Sequence, residues 1–219
     1  MSWAVRRLVT TAEAFHARPV PEPLTRQVWT CEPTGPALVL GSTQPVALVD
    51  DEACAEAGVA VVRRRSGGGA VSVVPGELVW VDLLLPVGDP LWHDDVGAAF
   101  AWVGDAWVAA LADLGIGAVA HRGPLRRSRW SDVACFAGLG PGEVTVRERK
   151  VVGISQRRTR AGSRFQCAAL LRWDPDRLLS LLRLSDADRS AARAELAGAA
   201  VGLEARADDL TAALIRHLP

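Results

Sequence analysis

Tyrosine is absent from this 219-residue chain, methionine occurs once, and lysine occurs once among 25 basic residues, the other 24 being arginine. Without tyrosine, aromatic bulk rests on eight tryptophans and four phenylalanines, which are expected to fill a core and a pocket. Net charge is also lacking, since 25 acidic residues balance the 25 basic ones. Binders of nucleic acid or of acidic membranes need an excess of positive field, so neither partner is expected. The four cysteines, Cys31, Cys54, Cys135 and Cys167, form no Cys-x-x-Cys and have no histidine pair nearby, which argues against zinc. The most apolar stretches, Val79 to Val87 and Ala98 to Leu114, are broken by Asp82, Asp105 and Asp113, so no membrane span is expected. The first residues lack the apolar stretch of an export signal. A cytoplasmic location with free thiols follows as the expectation.

What is present fits a soluble globular domain: 49% apolar and 23% charged residues, in a chain long enough to bury a real core. Strands are expected at Val5 to Val9, Gln27 to Cys31, Ala37 to Leu40, Val59 to Arg63, Ala70 to Val74 and Leu78 to Leu85. Further strands are expected at Ile116 to Ala120, Val133 to Phe136, Glu143 to Val146, Val151 to Gln156 and Phe165 to Trp173. The proline-rich stretch around Pro19, Pro21 and Pro23 reads as loop. A short helix is expected at Asp51 to Ala57, and a long one from an Asp89-Pro90 start to Gly115. Three short helices follow within Pro175 to His217. Strands and helices in blocks, without β-α-β alternation, imply an α+β fold with a mixed, mainly antiparallel sheet flanked by helices.

Two local patterns point to chemistry. In Arg63-Arg64-Arg65-Ser66-Gly67-Gly68-Gly69-Ala70-Val71, three glycines let a ligand approach the backbone and present consecutive amide donors. The flanking arginines suit phosphate or carboxylate. No Gly-Lys-Ser/Thr follows, so this is not a Walker loop, and the spacing is not that of a dinucleotide fingerprint. The second pattern is Arg149-Lys150-Val151-Val152-Gly153-Ile154-Ser155. A chain that otherwise uses arginine keeps a lysine where a compact ammonium, not a wide guanidinium, is required.

These two segments, with Ala37-Leu38-Val39-Leu40-Gly41-Ser42-Thr43-Gln44 before them, resemble the ordered motifs of the lipoate-protein ligases, in the superfamily shared with biotin ligases and octanoyl transferases. The resemblance runs from about Ala37 to Trp173. It implies a catalytic domain related to class II aminoacyl-tRNA synthetases over residues 1–173, with 174–219 as a short helical extension of the same domain. It also implies an apolar tunnel for a lipoyl or octanoyl chain beside the glycine turn. Lys150 would be catalytic, and Arg64, Ser66, Gly67, Gly68, Gly69, Ala70, Val71, Gly153 and Ser155 would bind the acyl group or its adenylate. The cosubstrates implied are ATP and magnesium with lipoate or octanoate. The acceptor would be a lysine on the lipoyl carrier domain of a 2-oxoacid dehydrogenase or glycine cleavage protein.

The departures from that pattern keep alternatives open. Gly142-Glu143 stands where the ligases usually carry Asn-Asp, leaving Glu143 as the magnesium candidate. Val73-Val74 replaces a usual His-Asp, and Gln166-Cys167-Ala168 replaces a frequent Gln/His-His-Gly. Cys135-Phe136 lies fifteen residues before Lys150, as in a cysteine-dependent octanoyl-transferase branch. There Cys135 would take the acyl group from an acyl carrier protein as a thioester, without ATP. A different class is a degenerate, non-catalytic acyl- or adenylate-binding member. His16, His93, His121 and His217 are expected at the surface or at helix ends. Arg126-Arg127-Ser128-Arg129 and Arg157-Arg158-Thr159-Arg160 are expected as solvated loops, or as a docking face for an acidic carrier domain.

Overall fold

The computed structural model describes residues 2–219. Seven strands form the larger sheet: β1 (Ala4–Thr10), β2 (Gln27–Pro33), β6 (Leu78–Pro86), β7 (Val119–Ala120), β8 (Val144–Val146), β9 (Arg149–Arg158) and β10 (Gly162–Leu170). Their order is β1-β2-β6-β10-β9-β8-β7, antiparallel throughout except for the parallel β1–β2 pair. A smaller sheet of order β4-β3-β5 joins β3 (Ala37–Leu40) in parallel to β4 (Ala60–Arg63) and antiparallel to β5 (Val71–Val73). The sheets are mixed and mainly antiparallel, as the block pattern implied.

The period of two along β6 decides the layering. Val79, Val81, Leu83 and Leu85 face one way and pack with Val103, Trp107 and Leu111 of α3 (Ala101–Asp113) and Leu210 and Leu214 of α6 (Ala207–Arg216). Leu78, Trp80 and Leu84 face the other way, against Val39, Val62 and Val73 of the smaller sheet and Phe15 of α1 (Ala12–Ala17). Beyond the smaller sheet, Leu38 and Leu40 meet Cys54 of α2 (Asp51–Glu56), Leu178 and Leu179 of α4 (Pro175–Ser180), and Ala192 and Leu196 of α5 (Asp186–Ala199). The two sheets thus face each other between two helical layers.

Three sequence expectations are corrected. The long helix does not start at Asp89-Pro90: a 3-10 turn at Ala98–Phe100 leads into α3, and Asp89 is instead buried against Arg26. Arg26 Nε and Nη2 each donate to an Asp89 oxygen at 2.8 Å. A buried aspartate facing a guanidinium has more to lose by exposure than a helix gains from a cap. Val133 to Phe136 is not a strand but ends in a 3-10 turn at Cys135–Ala137. A helix absent from the expected list, α1, forms before the prolines, its amide at Ala14 capped by the Thr11 hydroxyl at 3.2 Å.

Arg26 holds the Asp89 carboxyl below the usual carboxylate range. The contribution of Asp89 is therefore complete above the unfolded value of about pH 4 and is lost as pH falls through the depressed one. Asp89→Ala leaves the buried Arg26 with the Pro219 oxygen as its remaining acceptor and is expected to lower unfolding stability by about 3 kcal/mol. Urea melts of the variant and parent check this, and coincident curves would mean that the pair contributes nothing.

Candidate functional site

Between the facing sheets lies a narrow apolar cavity of ≈ 60 Å³, open on one side. Val39, Val71 and Val73 of the smaller sheet form one wall, and Leu78, Trp80 and Ala168 of the larger sheet form the other. Cys135, Ile154 and Ser155 line both this cavity and an adjoining polar cleft. That cleft is walled by Gln44, Gly67 to Gly69, Asp132, Glu143 and Lys150. A greasy chain with a polar, reactive end fits such a pair of compartments.

The glycine turn is clamped on to the segment carrying Cys135. Ala70 donates to the Val133 carbonyl at 2.9 Å, and the Cys135 amide donates to the Ala70 carbonyl at 3.0 Å. Gly68 adopts φ +98°, a left-handed conformation that favours glycine. A Cβ on Gly69 would lie 2.5 Å from the Ala134 carbonyl carbon, so only glycine permits this approach. Ser66 is buried, its hydroxyl 3.0 Å from that of Ser155.

Arg64 lines the cavity, and its fork is engaged by the turn itself. Its buried guanidinium donates to the carbonyls of Gly67 (2.7 Å) and Gly69 (2.9 Å), with a longer bond to Val39 (3.3 Å). It fixes the shape of the turn rather than offering a free fork to a phosphate.

Lys150 follows a tight hairpin in which Arg147 (φ 48°) and Glu148 (φ 64°) both take left-handed conformations, as a two-residue connection between twisted strands requires. Its side chain is 4% exposed. Nζ lies 2.6 Å from Glu143 Oε2 and donates to the carbonyls of Cys135 and Gly138, each at 3.0 Å. It also stands 5.0 Å from the centre of the Phe136 ring. Three ammonium protons therefore meet three acceptors, a fit that the five-donor plane of arginine does not reproduce. Gly153 lies alongside, where a Cβ would come 3.3 Å from Phe136 and 3.4 Å from the Lys150 side chain.

The Lys150 arrangement reassigns Glu143. Besides Lys150, its oxygens accept from the Gly140 amide (2.6 Å) and the Ile154 amide (3.0 Å). No cluster of three potential metal-binding side chains occurs among the described residues. The donor set present does not fit magnesium, and Glu143 is the counter-ion of the lysine.

The family model described as "Lipoyl protein ligase A/B catalytic domain" matches residues 7–211. The chain belongs to that family. In structure it is similar to a bipartite lipoate protein ligase from Thermoplasma acidophilum, described with its E2 lipoyl domain, at TM-score 0.74 and 18% identity over 99% of this chain and 82% of that one. A second T. acidophilum structure, a putative lipoate protein ligase with bound lipoic acid, gives TM-score 0.70 at 18% identity over 99% and 84%. A lipoate-protein ligase A bound with ATP gives TM-score 0.69 at 18% identity over the same shares. No curated protein matches the chain by sequence. At such identities the structural likeness speaks for the fold, and the family assignment rests on the matched residues.

Within this lipoyl ligase family site, Cys135 is half-buried while Cys31, Cys54 and Cys167 are buried. Cys167 also lines the cavity, but burial pushes its thiol up to about 12, so it stays protonated. His16 stands in the last turn of α1, a helix end as expected, yet it also faces inward. His16 lines the apolar cavity, its ring 4.8 Å from that of Trp80, and burial, aided by Arg164 and Arg64, pushes it down to about 3. No sequence signal marks it, because its partner Gln166 lies 150 residues away. Arg127 and Arg129 are solvated as expected, each in a surface pair, while Arg157 and Arg158 close β9. Arg127 pairs with Asp132, Arg129 pairs with Asp188 at 3.0 Å, and Arg158 donates to the carbonyls of His93 and Asp94. No helix among the described residues is long and apolar enough to cross a membrane.

Lys150→Arg is expected to lower acyl transfer at least about a hundredfold, the usual cost of removing one well-placed donor to an oxyanion. Intact-mass assay of the acceptor, beside circular dichroism of the variant, checks it. A folded arginine variant working at the parental rate would remove Lys150 from the chemistry.

Proposed function

We propose that this chain attaches a lipoyl or octanoyl group to the side-chain amine of a lysine on a lipoyl carrier domain, by way of an acyl-adenylate. The observation that carries the reading is the meeting of an apolar inter-sheet cavity with a polar cleft beside Lys150. The hydrocarbon chain lies in the cavity, and its carboxyl group emerges where Cys135, Ile154 and Ser155 border the cleft. In this reading the carboxylate attacks the α-phosphorus of ATP, forming an acyl-phosphate bond and releasing pyrophosphate. The carrier amine then attacks the acyl carbon, an amide forms, AMP leaves, and the amine loses a proton to solvent. Lys150 supplies positive charge to the oxygen that becomes anionic. For that oxygen to receive a proton of Nζ, one of the three resident acceptors must give way.

The turn Gly67-Gly68-Gly69-Ala70-Val71 supports the ligase route, since it matches that branch of the resemblance. Its three glycine amides line the cleft and have no protein acceptor among the described residues. A second reading is favoured by one observation: Cys135, the cysteine that is not buried, stands where cavity and cleft meet. There the thiolate would attack the thioester carbonyl of an acyl carrier protein, expel the carrier thiolate and pass the acyl group on to the lysine amine. The acceptor domains in view are those of a 2-oxoacid dehydrogenase or glycine cleavage protein, and the location in view is the cytoplasm.

Incubation of enzyme and carrier domain with free lipoate or octanoate plus ATP, against octanoyl-acyl carrier protein without ATP, separates the routes by intact mass. The ligase route requires pyrophosphate release and a Cys135→Ser variant that retains most activity. A thioester trapped on Cys135 that passes to the carrier without ATP would replace it with the second reading. Failure of both donors would leave a non-catalytic binding protein.

A further inference from the structure

The cavity is apolar on most of its wall, yet a connected row of polar side chains crosses it. Ser155, Gln166 and Asp82 are successive cross-strand partners on β9, β10 and β6. Neighbouring strands lie about 4.8 Å apart, so the row runs about 10 Å from the mouth at Ser155 to the strand of Asp82 and Trp80. An extended octanoyl chain covers a similar span. His16, carried by α1, stands over that inner end against Trp80.

The hydrogen bonds of Gln166 fix the tautomer of His16. Its amide oxygen accepts from the Ser66 hydroxyl at 3.3 Å, and its amide nitrogen faces an Asp82 oxygen at 3.4 Å. That Asp82 oxygen also accepts from Arg164 Nε at 2.5 Å, and the other accepts from Trp80 Nε1 at 3.1 Å, so the carboxylate faces donors on every side. The Gln166 nitrogen is therefore a donor toward His16 Nδ1 as well, at 3.2 Å. A ring that accepts at Nδ1 and is neutral carries its proton on Nε2. The ring is neutral because burial and two arginines hold it down to about 3. Nε2–H thus has no protein acceptor among the described residues, on a ring that lines the apolar cavity.

We propose that His16 is a specificity-determining residue that makes the cavity prefer a lipoyl chain to an octanoyl chain, with Nε2–H and the Trp80 ring facing the dithiolane sulfurs. Divalent sulfur is a weak acceptor and packs favourably against aromatic edges, whereas the terminal methyl of octanoate offers neither contact. The proposal rests on the acyl-binding reading given under Proposed function.

Calorimetric titration of the full chain with free lipoate and free octanoate tests it without requiring turnover. The parent is expected to bind lipoate at least about fivefold more tightly than octanoate, the effect of one modest hydrogen bond. His16→Phe keeps a ring against Trp80 and removes the donor, and is expected to bring the ratio below about twofold. His16→Gln retains an N–H donor and is expected to keep part of the preference, which a merely structural role for the ring would not produce. A parent that binds both acids equally, or a folded His16→Phe variant with an unchanged ratio, overturns the inference while leaving acyl binding intact. If His16→Phe does not fold, loss of the preference in His16→Gln overturns it. A parent that binds neither acid removes the acyl-binding reading as well.

Discussion

A buried ammonium is the constraint around which this site is arranged. Lys150 is withdrawn from water at the start of β9, and a charge in that position is tolerable only if each proton finds an acceptor. Glu143 provides the compensating charge, and the carbonyls of Cys135 and Gly138 complete the set. Meeting those needs fixes more than the lysine. The two carbonyls require the 3-10 turn at Cys135–Ala137, and the carboxylate requires the amides of Gly140 and Ile154 to orient it. The glycine turn must then reach the same segment, which explains why Gly69 has no room for a side chain. One charge thereby holds three stretches of chain, distant in sequence, in register.

Much of this was legible in the sequence where the signal is local. Lys150 stood out because a chain rich in arginine retained a single lysine, and Gly67 to Gly69 because consecutive glycines serve no ordinary strand. The apolar, β-branched content of Leu78 to Leu85 marked β6, an interior strand of the larger sheet. What escaped depends on partners far along the chain. Asp89-Pro90 has the form of a helix start, and nothing nearby announces that Arg26 will claim the carboxylate. Glu143, standing where the resembling ligases carry Asn-Asp, looks like a magnesium ligand until the hairpin turns Lys150 back on to it. His16, in a short helix next to a proline-rich loop, looks like a surface residue until the sheet brings Gln166 beneath it.

The two compartments also divide the chemistry by dielectric. In the cavity, hydrocarbon replaces water at little cost, because the exposed wall is mostly apolar, with Val39, Val71, Val73, Leu78, Trp80, Phe136 and Ile154 among it. In the cleft, backbone amides and one ammonium provide fixed dipoles where charge develops during acyl transfer. The border between them is narrow, formed by Cys135, Ile154 and Ser155. Arg64 stiffens that border from behind by gripping two carbonyls of the glycine turn. The shape of that border is therefore set mainly by backbone, which tolerates less wandering than side chains alone would.

The connection after α5 has a consequence for the order in which the molecule is built. The Val201 amide donates to the Lys150 carbonyl at 3.1 Å, and the Leu203 amide donates to the Leu170 carbonyl at 2.8 Å. These bonds dress the backbone of the lysine strand with chain that a ribosome makes about fifty residues after the lysine itself. Until that stretch emerges, the strand and Phe136 beneath it lack their cover from Ala200. A nascent chain can thus assemble both sheets and still present an unfinished centre until the stretch from Ala200 to Leu203 has emerged.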